Sequence, residues 1–317
     1  FKSSKPRHYP RLVENEEENI IMAVTHILGF PRIGANRELK FAVEAFWRRE
    51  CDEAYVKQEG FKLRRRHWAL QRNAGLNYVC VGDFAYYDQI LNTAVLLGAL
   101  PERFGFDPAT LTLTQYFELA RGNEAQPAME MTKWFDTNYH YIVPELDENT
   151  SFTGGVDWYF DEIQEAVDAG FQVKPVLIGP LTFLWLSKST TPGFDCLTLL
   201  PSLIDAYARI LNRLSAMNVE WVQIDEPALV LDLDADWINA YETTYARLGR
   251  VGPKILLATY FDDASDHLDE IVKWPVHGIH LDCVRAPAQL TVWANRLPHT
   301  WVLSAGVIDG RNIWRTD

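Results

Sequence analysis

Four stretches of the sequence carry side chains whose types and spacing suit chemistry. In LGFPRIGANRELK (28–40), Arg32, Arg37 and Lys40 gather where an apolar segment runs into a helical pattern. Asn36 is the expected N-cap, and Leu39, Val43, Phe46 and Trp47 recur at helical spacing as the buried stripe. Cations at a helix N-terminus add to the positive end of its dipole, and a bound anion would relieve that repulsion. A solvated helix start accounts for the same residues. The second stretch, MTKWFDTNYHY (131–141), is dense in aromatic and polar groups, with Lys133 as the candidate anion ligand. Aromatic rings that simply cover a barrel mouth would give the same pattern.

The third stretch, VQIDEPAL (222–229), places Asp225 and Glu226 just past a strand that Pro227 prevents from pairing further. Such carboxylates can bind an amine, a metal or a proton in flight. Consecutive residues on a strand face opposite sides, so the two cannot flank one glycosidic bond, and a hydrolase is a weak reading. The fourth, GIHLDC (278–283), offers His280, Asp282 and Cys283. His280 and Asp282 share a strand face while Cys283 points away, and a zinc site would need further ligands that no second cluster supplies. A hydrogen-bonded core histidine is the plainer alternative. GPLTFLWL (179–186) lacks phosphate-loop spacing.

The elements that must position these groups alternate along the chain. Short β-branched or apolar runs at 24–28, 78–81, 131–135, 173–178, 220–224, 254–260, 278–281 and 301–305 are separated by helical patterns, which is the signature of repeated βα units. In the segment 199–217, Leu203, Tyr207, Ile210, Leu211 and Leu214 share one helix face. A helix over 156–169 ends at Gly170, a suitable left-handed cap. Eight such units in 317 residues predict a (β/α)8 TIM barrel, in which binding groups collect at the C-terminal ends of the strands. The weakest strand, 131–135, follows a Pro- and Gly-rich insertion over 98–130, longer than an ordinary connection and of the kind that often carries function. After 301–305 the eighth helix has barely begun, which suggests a barrel cut from a longer chain.

A hydrophobic share of 48% supports one large core, and no uncharged apolar run reaches the eighteen residues a membrane helix needs. The net charge of −13 opposes encounter with nucleic acid or an anionic membrane, so an anionic partner would need a local basic site. Cys51, Cys80, Cys196 and Cys283 are scattered, as expected of reduced thiols in a cytoplasmic protein. Residues 1–21 are polar with an acidic run at 14–18 and read as a leader or vector-derived segment, with Met22 as the natural start and residues 22–317 as the barrel domain.

LGFPRIGANRELK (28–40), VGDFAYYD (81–88), MTKWFDTNYHYIVPE (131–145), VKPVLIGPLTFLWL (173–186), WVQIDEPALVL (221–231), LLATYF (256–261) and LSAGVIDGRNIWR (303–315) together resemble the N-terminal barrel of cobalamin-independent methionine synthase. The resemblance implies two facing barrels. The C-terminal one would carry zinc, bind homocysteine and perform the transfer, while the N-terminal one helps hold 5-methyltetrahydropteroyltriglutamate. It assigns Arg37, Glu38, Leu39, Lys40 and Lys133 to folate binding, and no catalytic residue and no metal to this half. The catalytic barrel's zinc ligands include a His-x-Cys element, whereas the related strand here reads His280-Leu281-Asp282. The isolated half would be inactive as a methyltransferase. A self-standing folate- or anion-binding module without catalysis is the competing reading.

Overall fold

Runs of β-branched and aliphatic residues form the strands, and the apolar faces between them form helices that cover the sheet. The structure is a computed structural model that describes residues 23–315. The strands are β1 (Val79–Val81), β2 (Met131–Lys133), β3 (His140–Ile142), β4 (Glu145–Leu146), β5 (Val173–Ile178), β6 (Lys188–Ser189), β7 (Trp221–Asp225), β8 (Lys254–Ala258), β9 (Gly278–Asp282) and β10 (Val302–Gly306). The α-helices are α1 (Glu38–Trp47), α2 (Glu53–Asn73), α3 (Gln89–Leu97), α4 (Leu113–Arg121), α5 (Trp158–Asp168), α6 (Pro180–Leu186), α7 (Leu200–Ala216), α8 (Ala235–Leu248), α9 (Leu268–Ile271) and α10 (Gln289–Ala294).

Six strands form one parallel sheet in the order β1-β5-β7-β8-β9-β10. All six lie where alternation placed them, to within two residues at either end. The expected strand at 24–28 carries no regular ladder: it is held by a few backbone bonds together with side chains. Asn77 Oδ1 accepts from the Thr25 amide at 2.8 Å and from its hydroxyl at 2.9 Å, while Thr25 O accepts from the amides of Asn77 and Tyr78. On the other side His26 Nε2 is 2.8 Å from Ser304 Oγ of β10. The segment therefore sits between the two edge strands and closes the wall.

The expected third strand is also corrected. Met131–Lys133 leaves the barrel and pairs antiparallel with β3, Met131 opposite Ile142 and Lys133 opposite His140. All three residues of β2 are exposed, so no apolar face draws it into the sheet. The 98–130 insertion is likewise not an open loop. It contains α4, closed by a capping box in which Thr112 and Gln115 bond each other's backbone. Its Phe104, Leu113, Tyr116 and Phe117 join Leu39, Val43 and Leu63 of α1 and α2 in a second core beside the main one.

The main core lies between the sheet and α5, α7 and α8. Leu203, Tyr207, Ile210, Leu211 and Leu214 are all buried on the inner face of α7. Helix α5 stops as expected, with Gly170 left-handed at φ 76° just beyond it. Residues 1–22, which include the expected leader and Met22, lie outside the described residues.

Candidate functional site

The C-terminal ends of the parallel strands share one rim, where the first loop and the β2-β3 hairpin meet. Asn36 is not the cap of α1: Arg37 holds that position in the left-handed region at φ 61°, with no side-chain cap bond. Glu38 takes over the role, its carboxylate accepting from the Asn36 amide at 3.0 Å and pairing with Arg66 at 2.8 Å. Backbone hydrogen bonding at its own amide, followed by Arg66, lowers its pKa to about 2. The anion expected at this helix start is thus already supplied by the chain. Leu39 is only 1% exposed and packs into the second core, and its amide already donates to Ile33 O at 3.2 Å. Arg37 and Lys40 are exposed, Lys40 lying 3.7 Å from Glu44 one turn on.

The hairpin lies across this rim. Tyr139 donates to Asp88 Oδ1 at 2.7 Å, just past β1, while Asp88 Oδ2 accepts from the amides of Leu91 and Ile142. At its other end Phe135 packs 5.3 Å from Phe261 after β8, and Asp136 pairs with Arg285 after β9. Lys133 stands exposed on the outgoing strand. Among the described residues no hydrogen bond or ion pair joins Arg37 or Lys40 to Lys133. The connection between the two loops is Arg32, whose guanidinium lies 5.7 Å from the Tyr139 ring and donates to Tyr87 O. That role was missed in the sequence, where Arg32 was grouped by spacing with the other cations.

Asp225 and Glu226 point opposite ways, as strand geometry requires. Asp225 faces the interior, accepting from Gln223 Nε2 at 2.6 Å and Tyr260 OH at 3.2 Å, and Gln223 in turn accepts from Lys174. Glu226 faces outward under α6, accepting from the amides of Leu181 and Thr182 and from the hydroxyls of Tyr241 and Tyr245. Burial pushes Asp225 up to about 6 and Glu226 up to about 7. With every described partner an internal group, the pair acts as interior architecture. A lysine inside the apolar run VKPVLI was the signal that could have shown the interior network from sequence.

His280 is buried, and its Nδ1 is 2.8 Å from Ser304 Oγ, which also meets His26. Burial lowers His26 to about 4 and His280 to about 3, keeping both neutral. The Asp282 carboxylate accepts from the amides of Phe261, Val284 and Arg285, and burial raises the Cys283 thiol. The three groups are committed to separate partners, so this donor set does not fit a zinc ion. Among the described residues no group of three or more metal-ligating side chains converges, and all four cysteines are free.

Residues 24–317 match the model of a family described as cobalamin-independent synthase, N-terminal domain. This chain belongs to that family. Across 93% of its length it is 62% identical to a 5-methyltetrahydropteroyltriglutamate–homocysteine methyltransferase of Paraburkholderia xenovorans strain LB400, and 54% identical to one of Actinobacillus pleuropneumoniae serotype 5b. It spans 39% of the length of each of these curated relatives. Among solved structures it is similar to a vitamin-B12-independent methionine synthase of Listeria monocytogenes, with a TM-score of 0.62 at 12% identity over 93% of this chain and 84% of that one. A B12-independent methionine synthase of Shewanella sp. W3-18-1 gives 0.58 at 15% identity over 80% and 72%. At those identities the likeness shows the fold alone, a TIM barrel. In this cobalamin-independent synthase domain the three exposed candidate cations stand at the start of α1, Arg37 and Lys40, and on the β2-β3 hairpin, Lys133. Among the described residues no helix is long and apolar enough to cross a membrane.

Proposed function

We propose that this chain is the folate-holding half of a methyltransferase that moves the methyl group of 5-methyltetrahydropteroyltriglutamate to homocysteine. The observation that carries the reading is the rim itself, where Arg37 at the cap of α1, Lys40 in its first turn and Lys133 on the hairpin lie at the same end of a barrel of this family. The relatives' names supply the substrates. Arg37, Lys40 and Lys133 would pair with carboxylates of the glutamate tail. Glu38, already paired with Arg66, would hold the loop rather than touch the tail.

On this reading the protein works in the cytoplasm, and zinc, homocysteine and the transfer step belong to residues outside this chain. A methyl group on a tertiary nitrogen departs only when that nitrogen is activated, as by protonation. The tail contacts made here are remote from the reacting carbon, yet they can position it and so lower the barrier elsewhere. Each exposed pair contributes about 0.2–1 kcal/mol, so useful affinity requires several at once.

In the full-length protein, triglutamate should bind more tightly than monoglutamate. Lys40→Ala and Lys133→Ala should each weaken the triglutamate form by about two- to fivefold, leaving the monoglutamate and homocysteine nearly unchanged. Equal losses for both folates would show that these residues do not read the tail. The chain 1–317 alone should bind triglutamate without forming methionine. Methionine formed by this fragment would place the chemistry here, and tail binding in a parent with no transferase activity would favour a free-standing binding module.

A further inference from the structure

Behind the C-terminal ends of β1 and β5, the barrel wall opens beside α2, α3 and α5. Strand β1 ends at Val81 opposite Pro175, and the chain then turns at Gly82 with φ 75°. Val176, Leu177 and Ile178 continue upward beyond it, leaving a wedge-shaped cavity of about 290 Å³. Phe84, Tyr86, Trp158 and Tyr159 supply aromatic walls. The polar lining is unevenly satisfied. Arg64 donates Nε at 3.2 Å and Nη2 at 2.7 Å to the same oxygen, Oε2 of Glu165, and Oε1 is buried with no hydrogen-bond partner among the described residues. The Tyr159 hydroxyl is buried and equally without one. Glu162 is buried beside them, its Oε1 accepting from the Gly82 amide at 2.7 Å.

We propose that this cavity binds a small primary amine carrying an aromatic or apolar body. A buried carboxylate oxygen without a donor, beside a buried hydroxyl without a partner, calls for a ligand that brings N–H groups. The aromatic walls suit the body, and their faces attract cations: the ammonium of Lys57 already lies 5.7 Å from the Trp158 ring. An anion is disfavoured, because Arg64 is already matched by Glu165 and Lys57 by Glu53 at 2.6 Å. The Glu165 carboxylate, its Oε1 buried without a donor, would remain to repel it. The ammonium would donate to Glu165 Oε1 and Tyr159, with Glu162 as its counter-charge.

The charged and titratable groups facing Glu162 are Arg64 and Lys57 from α2, Asp83 and Tyr86 after β1, and Tyr159, Asp161 and Glu165 from α5. α3 and β5 place no ionisable side chain in the lining. Burial pushes Glu162 up to about 8, so its carboxyl holds a proton in the empty site at neutral pH. An arriving ammonium favours the carboxylate, and that proton passes to solvent. Binding therefore strengthens as pH rises from 6 towards 8.

The test is calorimetry on chain 1–317 with benzylamine, benzyl alcohol and benzoate, repeated in buffers of different ionisation enthalpy. Benzylamine should bind at least about tenfold more tightly than benzyl alcohol, with release of up to about one proton, and benzoate should not bind. Glu162→Gln should remove both the amine preference and the proton release, while Lys133→Ala should change neither. Equal affinity for amine and alcohol, amine binding without proton release, or failure of all three probes would overturn the proposal. So would amine binding that survives Glu162→Gln or is lost in Lys133→Ala. If Glu162→Gln does not fold, the amine–alcohol ratio and proton release of the unaltered chain decide the matter.

Discussion

Glu226 shows how a carboxylate that reads as chemistry in a sequence can be structure. Four donors hold it beneath α6, and a β-carbon added at Gly179 would overlap its side chain. Its pKa rises from 4.5 to about 7 through burial. The folded state therefore favours the protonated form, and the stability this group contributes is full below 4.5, falls as pH climbs and is lost above about 7. Tyr245→Phe removes the shorter of two donors to Oε1, the other being the Leu181 amide, and that bond is worth more to the ionised group than to the neutral one. The cost should be about 1 kcal/mol at pH 5 and about 2 kcal/mol at pH 8, measured by urea denaturation. The same cost at both values would mean that the carboxylate is not the group Tyr245 serves. Gly179→Ala should cost about 2 kcal/mol or more at either pH, because its clash is steric.

At the scale of elements, the hairpin is held at both ends by side chains rather than by the barrel wall. Tyr139→Phe should release one end, speeding limited proteolysis within 133–140 several-fold while leaving the melting temperature within a few degrees. Unchanged cleavage would show that the remaining contacts, Phe135–Phe261, Asp136–Arg285 and the Ile142 amide on Asp88, hold it without Tyr139. This element also marks the limit of what the sequence made legible. Five of the six sheet strands were readable because each carries buried apolar residues, β10 by its apolar run alone since none of its residues is buried, and the α7 stripe because its period is helical. Met131, Thr132 and Lys133 have strand character without a face to bury, so their pattern could not say which sheet they join. Nor could it show that the segment at 24–28 would exchange a regular ladder for a few backbone bonds and Asn77's side chain. The stretch at 37–40, proposed above to meet the glutamate tail, was legible as a basic helix start. That Glu38 neutralises the start, and that Leu39 is buried, depends on Arg66 and α4, both distant in sequence.

For the whole molecule, a net charge of −13 sets the long-range field against any polyanion. Tail binding should therefore be strongly salt-dependent, with local attraction and global repulsion both screened over about 10 Å at 0.1 M ionic strength. If the local cations dominate, triglutamate affinity in the full-length protein falls as salt rises from 50 to 500 mM and monoglutamate affinity falls less. A rise for both would mean that the global field governs. The seam at 24–28 has a different kind of consequence, for the order in which the chain takes shape. Thr25 meets Asn77 across 52 positions, and His26 meets Ser304 across 278. Bringing such distant partners together carries a large closure entropy and comes after the local βα units have formed. In pulse-labelled exchange during refolding, the Asn77 and Tyr78 amides that donate to Thr25 should gain protection later than those of β7 and β8. On the ribosome, this segment emerges well before β10, and its pairing with Ser304 must wait until that strand has been made.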